Sequence, residues 1–313
     1  MDGRKGRNVK AEANLRAGRY TVRITSPDKV LFPDVGVTKL ELARYYLGVG
    51  PLMVRYLKGR PILVQRFPDG IDRPGFIQQE APDHVPPWVR RVTVPKVGGG
   101  SITHATVDNT ASLVYLVNLN TVAVHAWLSR FDRPRQPDRL IFDLDPPDDE
   151  FGPVRETALA LRKLLDDLGL RPLIMLTGSR GAHVTVPIRR GPDFDEVRRF
   201  ADQVAARLVE AYPDLVTTEA RVEARGGRLY IDTRRNAYGQ TAVAPYSVRA
   251  KPGAPVAVPI DWSELDEPGL TSRRYNIRDI PARLARRGDP WAGTGRHAAD
   301  LRRAWARLAR PGR

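Results

Sequence analysis

The sequence predicts an α+β fold in which a mixed or antiparallel central sheet is flanked by helices, and three observations carry that prediction. Short runs such as WVRRVTV and SITHATV, on either side of Gly98, Gly99 and Gly100, alternate apolar and polar residues with the period expected of neighbouring strands. Two stretches, 153–168 and 194–211, instead repeat apolar residues at helical spacing. At the centre lies RLIFDLDPP (139–147), a buried strand that Pro146 and Pro147 must stop, because proline has no N–H for the ladder.

Taken in order, YTVRITSPDKVLFP (20–33) gives a strand and then a turn carrying Lys29. Thr38 and Glu41 form a capping box for a helix beginning near Lys39, with Leu40, Ala43 and Leu47 on its apolar side. Gly48, Gly50 and Pro51 are expected to interrupt it. Lys39, among the free N–H groups of that first turn, makes either a phosphate site or a solvated charge, and Lys29 is open to the same two readings. PILVQRF (61–67) reads as a strand and leads through PDGIDRPG to Phe76, which either stacks on a nucleic-acid base or packs in the core. Asp108 is expected to cap the apolar helix ASLVYLVNL, which hands over to the strand TVAVHAWL, where His125 faces away from Val124 and Ala126.

Beyond the central strand, Pro153 suits the first turn of a helix that turns Val154, Ala158, Leu161, Leu165 and Leu168 inward and is capped by Gly169. The strand RPLIMLT, the tight GSRG turn and the strand AHVTVPI follow. That hairpin can offer Ser179, Arg180, His183 and backbone N–H groups to a phosphate chain, or be nothing more than a hairpin. A second helix, 194–211, turns Phe194, Val197, Ala201, Val204 and Leu208 inward until Pro213 stops it. RLYIDT (228–233) delivers Asp232 after an apolar approach, TAVAPYSVR is a further strand, and AADLRRAWARLAR closes the chain as a short helix.

The chemistry concentrates on the acids. Side chains alternate along a strand, so Asp143 and Asp145 share one face while Leu144 enters the core. Two carboxylates about 4 Å apart repel by roughly 4 kcal/mol at an effective dielectric near 20. Without an adjacent Lys or Arg the pair calls for a cation, and hard oxygen ligands suit Mg²⁺ or Mn²⁺. A strand running into a polar turn explains a bare Asp-x-Asp equally. Asp232, arriving from a distant strand, is the third acid that a two-metal site would use. Arg225, Arg234, Arg235 and Arg249 nearby in sequence fit either triphosphate binding or surface salt bridges.

Composition bounds the rest. With 313 residues and 42% apolar content the chain can bury a core in one large domain or two joined lobes, and no apolar run is long enough to cross a bilayer. The basic N-terminus lacks the apolar stretch of a secretory signal and there is no cysteine, which excludes disulfides and thiolate metal sites, so an intracellular protein is expected. The net charge of +15 sits at the ends: +5 in residues 1–23 and +9 in residues 273–313, leaving +1 between. Such ends point to a polyanionic partner, or to solubilising tails.

Read together, SPDKVLFP and GVTK, GRPILVQRFPDG with RPGFIQQ, VHAWLSR, RLIFDLDPP, TGSRGAHVTVPI, the long run LYIDTRRNAYGQTAVAPYSVRAKPGAPVAVPIDWSEL, and TSRRYNIRD resemble the archaeo-eukaryotic primase superfamily, and within it the polymerase domain of bacterial ligase D of non-homologous end joining. The resemblance covers about residues 20 to 290 and implies a primase-polymerase fold. It implies that Asp143, Asp145 and Asp232 bind two Mn²⁺ or Mg²⁺ ions and catalyse nucleotidyl transfer from NTP or dNTP, with ribonucleotides preferred, to a primer 3′-OH. Thr177, Ser179, Arg180, His183, Arg225, Arg249 and His125 would hold the nucleotide. Lys29, Lys39, Arg66 and Phe76 would contact DNA, the lysines at the 5′-phosphate of a gap or broken end. Implied partners are DNA, nucleoside triphosphates, Ku and a separate DNA ligase, with no membrane, in a bacterial cytoplasm near the nucleoid.

Some positions depart from the family pattern. Arg180 stands where lysine is usual, Ile77 replaces a second aromatic, Gln65 stands in place of a base, and Arg235 in place of a Gln. No nucleotidyl-lysine ligase motif occurs, so a stand-alone polymerase is expected. The expected organisation is a basic tail (1–19), a primase-polymerase domain (20–290) with a DNA-contacting lobe (about 20–135) and a catalytic lobe (about 136–270), and an Arg-rich C-terminal helix and tail (291–313). Rival readings are a de novo primase, an aspartyl-phosphate phosphotransferase and a non-catalytic nucleic-acid-binding module. Pro147, where the phosphotransferases carry Thr or Val, weighs against the second.

Overall fold

A computed structural model describes residues 11–309. Residues 1–10 of the expected N-terminal tail and 310–313 of the C-terminal one lie outside the described residues. β1 (Glu12–Ala17) and β2 (Tyr20–Thr25) form an antiparallel hairpin. Residues 12–17 are therefore sheet, not tail: in EANLRA the apolar residues Ala13, Leu15 and Ala17 alternate inward with exposed polar ones. β3 (Val30–Phe32) and β4 (Val37–Thr38) lead into α1 (Lys39–Leu57), whose capping box is formed by Thr38 and Glu41.

Contrary to expectation, α1 runs on through Gly48, Gly50 and Pro51. Pro51 forfeits one helical hydrogen bond. Gly50 is where the next helix crosses: a Cβ there would lie 2.3 Å from Thr110 Cγ2, so the glycine is a packing requirement.

β5 (Ile62–Arg66), β6 (Phe76–Gln78), β7 (Arg91–Pro95) and β8 (Ser101–Ala105) follow, then α2 (Thr110–Asn118) and β9 (Thr121–Trp127). The cap of α2 is Asn109, whose Oδ1 accepts from the Ser112 N–H at 2.9 Å. Asp108, one residue earlier, accepts instead from the Gly59 N–H at 2.8 Å.

β10 (Arg139–Asp145) ends at the Pro-Pro pair, α3 (Gly152–Asp167) follows, and β11 (Leu173–Leu176) and β12 (Ala182–Pro187) form the hairpin around GSRG. α4 (Phe194–Ala211), β13 (Val216–Thr217) and β14 (Leu229–Asp232) complete the approach to the third acid. β15 (Thr241–Val243) takes only the start of TAVAPYSVR, because the chain turns at Tyr246, which has φ of +66°. β16 (Val258–Ile260), α5 (Asp279–Arg287) and α6 (Leu301–Leu308) close the chain. No described helix is long and apolar enough to cross a membrane.

Two sheets organise the molecule. One has the strand order β13-β14-β10-β12-β11-β16, antiparallel except between β13 and β14, and the other runs β15-β9-β5-β6. Leu140, Phe142 and Leu144 are fully buried on one face of β10, the face on which α3 and α4 pack. The opposite face carries Arg139, Ile141, Asp143 and Asp145, and Ile141 packs with Ala242 of β15. The acids thus look into the space between the sheets. β15 pairs with β9, so a strand from the second half of the chain completes the sheet of the first. One continuous apolar cluster runs from Ala17 to Leu308.

Candidate active site

β10 lies between β12 and β14, and its register sets the site. Asp143 is directly opposite His183 on β12 and Asp232 on β14, and Asp145 lies two residues further along the same face. All three carboxylates line one polar cavity of about 190 Å³, together with His125, Thr177, Ser179, Arg180, His183 and Arg249. Arg225 is brought to the same place from outside the lining, through its bond to Asp145.

Each acid is turned onto a cation. Asp143 faces His183 Nε2 at 3.4 Å and Arg235 Nε at 3.3 Å. Asp145 is held by Arg180 Nη2 and Arg225 Nη1, both at 3.2 Å. Asp232 accepts from the Arg234 backbone N–H at 2.8 Å and faces its Nε at 3.4 Å. The absence of a base beside Asp143 and Asp145 inferred from the local sequence is therefore corrected by the fold, since Arg180, Arg225 and Arg235 reach them from other segments. Burial works against the charge on Asp143, but His183 and Arg235 outweigh it and hold its pKa at about 2. The carboxylate is ionised at any working pH.

Among the described residues no three ligating side chains are already gathered around a point where a metal could sit. The donor chemistry nonetheless fits a hard divalent ion: three ionisable carboxylates, two on one strand face and one directly across the register, share a polar cavity. Arginines now sit on all three carboxylates, Arg235 on Asp143, Arg180 and Arg225 on Asp145, and Arg234 on Asp232.

The loop 177–181 is clamped beside the acids. The Gly181 carbonyl accepts from Thr177 N–H, Thr177 Oγ1 and Ser272 Oγ at 3.1, 2.9 and 2.6 Å. Arg249 Nη1 holds the Thr177 carbonyl at 2.7 Å and Arg273 Nε the Ser179 carbonyl at 2.8 Å. Gly178, with φ of +66°, lies so close to the Val256 carbonyl that a Cβ would come within 2.8 Å.

Two imidazoles enter the cavity with a buried nitrogen that has no partner among the described residues, His125 Nε2 and His183 Nδ1. Burial, then Arg249, Arg235 and His183, push the His125 pKa down to about 3, so this ring is neutral and offers one donor and one acceptor.

Lys29, Lys39, Arg66 and Phe76 are gathered elsewhere. Lys29 Nζ donates to the Pro68 carbonyl at 2.7 Å. Lys39 is 3% exposed, and burial, then Lys29 and Arg66, bring its pKa down to about 8. Arg66 Nη1 donates to Gln78 Oε1 at 2.8 Å, and its guanidinium lies 5.1 Å from the centre of the Phe76 ring, which is 47% exposed. Gln65, Phe76, Ile77 and Lys251 line an open groove that also contains Arg249, so groove and acid cavity share a wall. Arg273 and Ser272 carry no individual site reading in the sequence, and Arg235 is read there only as one of four nearby arginines and as a departure from the family pattern. Their signal was adjacency to motifs, in IDTRR and TSRR, without any spacing of their own.

A sheet that presents three acids to one cavity, beside a glycine-bounded loop and a basic groove, defines a nucleotidyltransferase of the primase-polymerase class. The chain belongs to the LigD primase-polymerase domain family, whose profile matches residues 38–291. This is a family of metal-dependent enzymes. The multifunctional non-homologous end joining DNA repair protein LigD of Mycobacterium tuberculosis is 34% identical over 282 residues, covering 87% of this chain and 37% of that protein. The Pseudomonas aeruginosa LigD is 33% identical over 92% of this chain and 34% of its own length. The chain thus spans little more than a third of the length of each of these two relatives. The polymerase domain from Mycobacterium tuberculosis ligase D, solved in complex with DNA, superposes with a TM-score of 0.83 at 32% identity, covering 89% of this chain and 99% of that one.

Proposed function

We propose that this chain extends the primer 3′-hydroxyl at gaps or double-strand-break ends in DNA, preferring ribonucleotides, as the polymerase of an end-joining repair system that includes Ku and a DNA ligase. The observation that carries this reading is the shared wall: Arg249 belongs both to the cavity of the three acids and to the groove of Phe76. A nucleotide held among the acids would therefore meet a strand lying in the groove.

Asp143, Asp145 and Asp232 are the residues that would hold two Mn²⁺ or Mg²⁺ ions. Bound there, such ions supply acidification of the 3′-hydroxyl and neutralisation of the departing pyrophosphate. The protein's own part is positioning and charge. Arg180 and Arg225 exchange Asp145 for phosphate oxygens, an exchange that keeps two charge-assisted bonds on each side. Arg249 and the N–H groups of loop 177–181 stabilise charge developing on the phosphates. Thr177 fixes that loop, His183 donates to phosphate, and neutral His125 reads the sugar or base. Lys29 and Lys39 grip a downstream 5′-phosphate, with Arg66 supporting Phe76 as a stacking platform for template.

The test is extension of a labelled primer across a short gap bearing a downstream 5′-phosphate, with Mn²⁺ or Mg²⁺ and ribo- or deoxyribonucleotides. Extension should vanish in Asp143→Ala and lose its 5′-phosphate dependence in Lys29→Ala. Failure of the folded wild type with every nucleotide and both metals would defeat the polymerase reading. Joining of two free nucleotides without a primer would favour the primase instead.

A further inference from the structure

A second cavity, of about 290 Å³, opens at the other end of β10. Arg139 and Asp143 share a strand face and are four residues apart, so the two cavities lie on the same side of the sheet about 13 Å from one another. The cavity is covered by the segment that follows α5, which docks through Ala299, whose N–H and carbonyl bond to Pro187 and Arg189 at 2.9 and 2.8 Å. Nothing in the proposed polymerase reaction uses it.

Its charge is unbalanced. Arg55, Arg60, Arg130 and Arg139 face a single lining carboxylate, Asp138. That carboxylate is already taken by Arg60 Nη2 at 2.5 Å and Arg130 Nε at 3.1 Å. Arg139 has no acid partner among the described residues. Its Nη2 donates to the Tyr56 carbonyl at 2.8 Å, an oxygen that also accepts from Arg60 Nε at 3.0 Å. Arg55 likewise makes no ion pair among the described residues and stands exposed at the rim. Burial, then the charge of Arg60, press the Arg139 pKa down to about 9. Asp289 lies outside the lining and makes no ion pair with these arginines among the described residues, accepting instead from the hydroxyls of Tyr56 and Tyr246 and from the Trp291 N–H.

Crowding guanidinium groups around a half-enclosed space is costly unless an anion neutralises them. The flat fork of arginine matches phosphate oxygens. Beside the arginines the wall carries an apolar patch of Leu173, Ile188 and Trp291, with Tyr56, Thr185 and Thr294 adding hydroxyls. We propose that this cavity is a second ligand site, for an organic phosphate of about mononucleotide size, with the phosphate on Arg139 and Arg55 and the apolar part against Leu173, Ile188 and Trp291. The assignment does not depend on the polymerase reading, since it shares no residue with the acid cavity.

Calorimetric titration of the whole chain with AMP, in EDTA so that no metal-held nucleotide contributes, tests it. Arg139→Gln and Arg55→Glu should each weaken AMP binding about tenfold or more, whereas Arg249→Gln should leave it unchanged. Arg55 is exposed, so its variant decides the matter even if Arg139→Gln does not fold. No binding of millimolar AMP, or binding lost in Arg249→Gln and kept in Arg55→Glu, would overturn the proposal. Inorganic phosphate should bind more weakly than AMP, and equal affinity would refute the mononucleotide-sized site. A 5′-phosphorylated oligonucleotide that displaces AMP from this cavity at equal concentration would reassign it to a strand end and overturn the proposal as stated.

Discussion

Gly181→Ala puts the link between the phosphate loop and the catalytic strand to the test. A methyl at Gly181 would lie 1.7 Å from the Leu144 carbonyl oxygen and 3.2 Å from Pro146 Cδ, so loop and strand must separate by more than 1 Å. Neither side is free to move. Leu144 sits opposite Ala182 on one side and Ile231 on the other, and the Gly181 carbonyl accepts three hydrogen bonds. Overpacking of this kind costs about 1 to 3 kcal/mol, and each hydrogen bond lost adds about 1 kcal/mol. A total near 3 kcal/mol lowers Tm by about 4 to 5 °C for a chain of this length. Displacing Ser179 and Arg180 by about 1 Å should cost on the order of 100-fold in turnover. Thermal melts and primer extension at 25 °C measure both, with Gly191→Ala as control, because that glycine has nothing within 4 Å and no left-handed φ. A Gly181→Ala protein that melts and extends like wild type would refute the tight loop–strand contact. Lowered Tm with unaltered turnover would refute the loop's role in holding phosphate.

Three further outcomes follow from the same geometry. Phe76→Ala, at a side chain already 47% exposed, should shift stability by no more than about 0.5 kcal/mol yet weaken DNA binding by about 1 to 3 kcal/mol, which fluorescence anisotropy beside a thermal melt would show. Lys39 must be protonated to attract phosphate, and its pKa is lowered to about 8, so preference for 5′-phosphate over 5′-hydroxyl ends should be steady below that pH and decline above it; anisotropy from pH 6.5 to 9.5 tests this, and a preference still undiminished at the top of that range would contradict it. Arg283 and Glu264, 3% and 1% exposed and paired through two nitrogens, form a buried pair, so Arg283→Met alone should destabilise by about 3 to 5 kcal/mol while Arg283→Met with Glu264→Leu recovers much of the loss; urea unfolding that finds the double variant no better than the single would count against burial as the cause.

The elements legible in the sequence are those governed by short-range rules. α4 matches its expected limits, because Asp193 caps it and Phe194, Val197, Ala201, Val204 and Leu208 repeat at helical spacing. β10 stops where two prolines forbid pairing, with Asp143 and Asp145 on one face. α1 outruns the end expected at Gly48 because Gly50 answers to a neighbour 60 residues away in sequence, Thr110, and no local rule contains that contact. β1 lies within the basic N-terminal stretch, whose charges overlie the two-residue alternation of Ala13, Leu15 and Ala17.

The site divides along the same line. The three acids announce themselves by ending apolar strands, but their ion-pair partners do not. Arg235 reaches Asp143 from 92 positions along the chain, and Arg225 reaches Asp145 from 80. What joins these distant segments is a backbone event, the pairing of β15 with β9, which sets Val243 opposite His125. The chain then turns at Tyr246 and brings Arg249 to the Thr177 carbonyl. One strand of three residues thus forms an edge of the second sheet and a wall of the acid cavity, and the turn that follows it delivers the arginine shared by that cavity and the Phe76 groove. Under the proposed function, substrate phosphates and nucleic-acid strand must keep a fixed relation, and a turn anchored on a sheet edge, through the Arg249 bond to the Thr177 carbonyl, would maintain it.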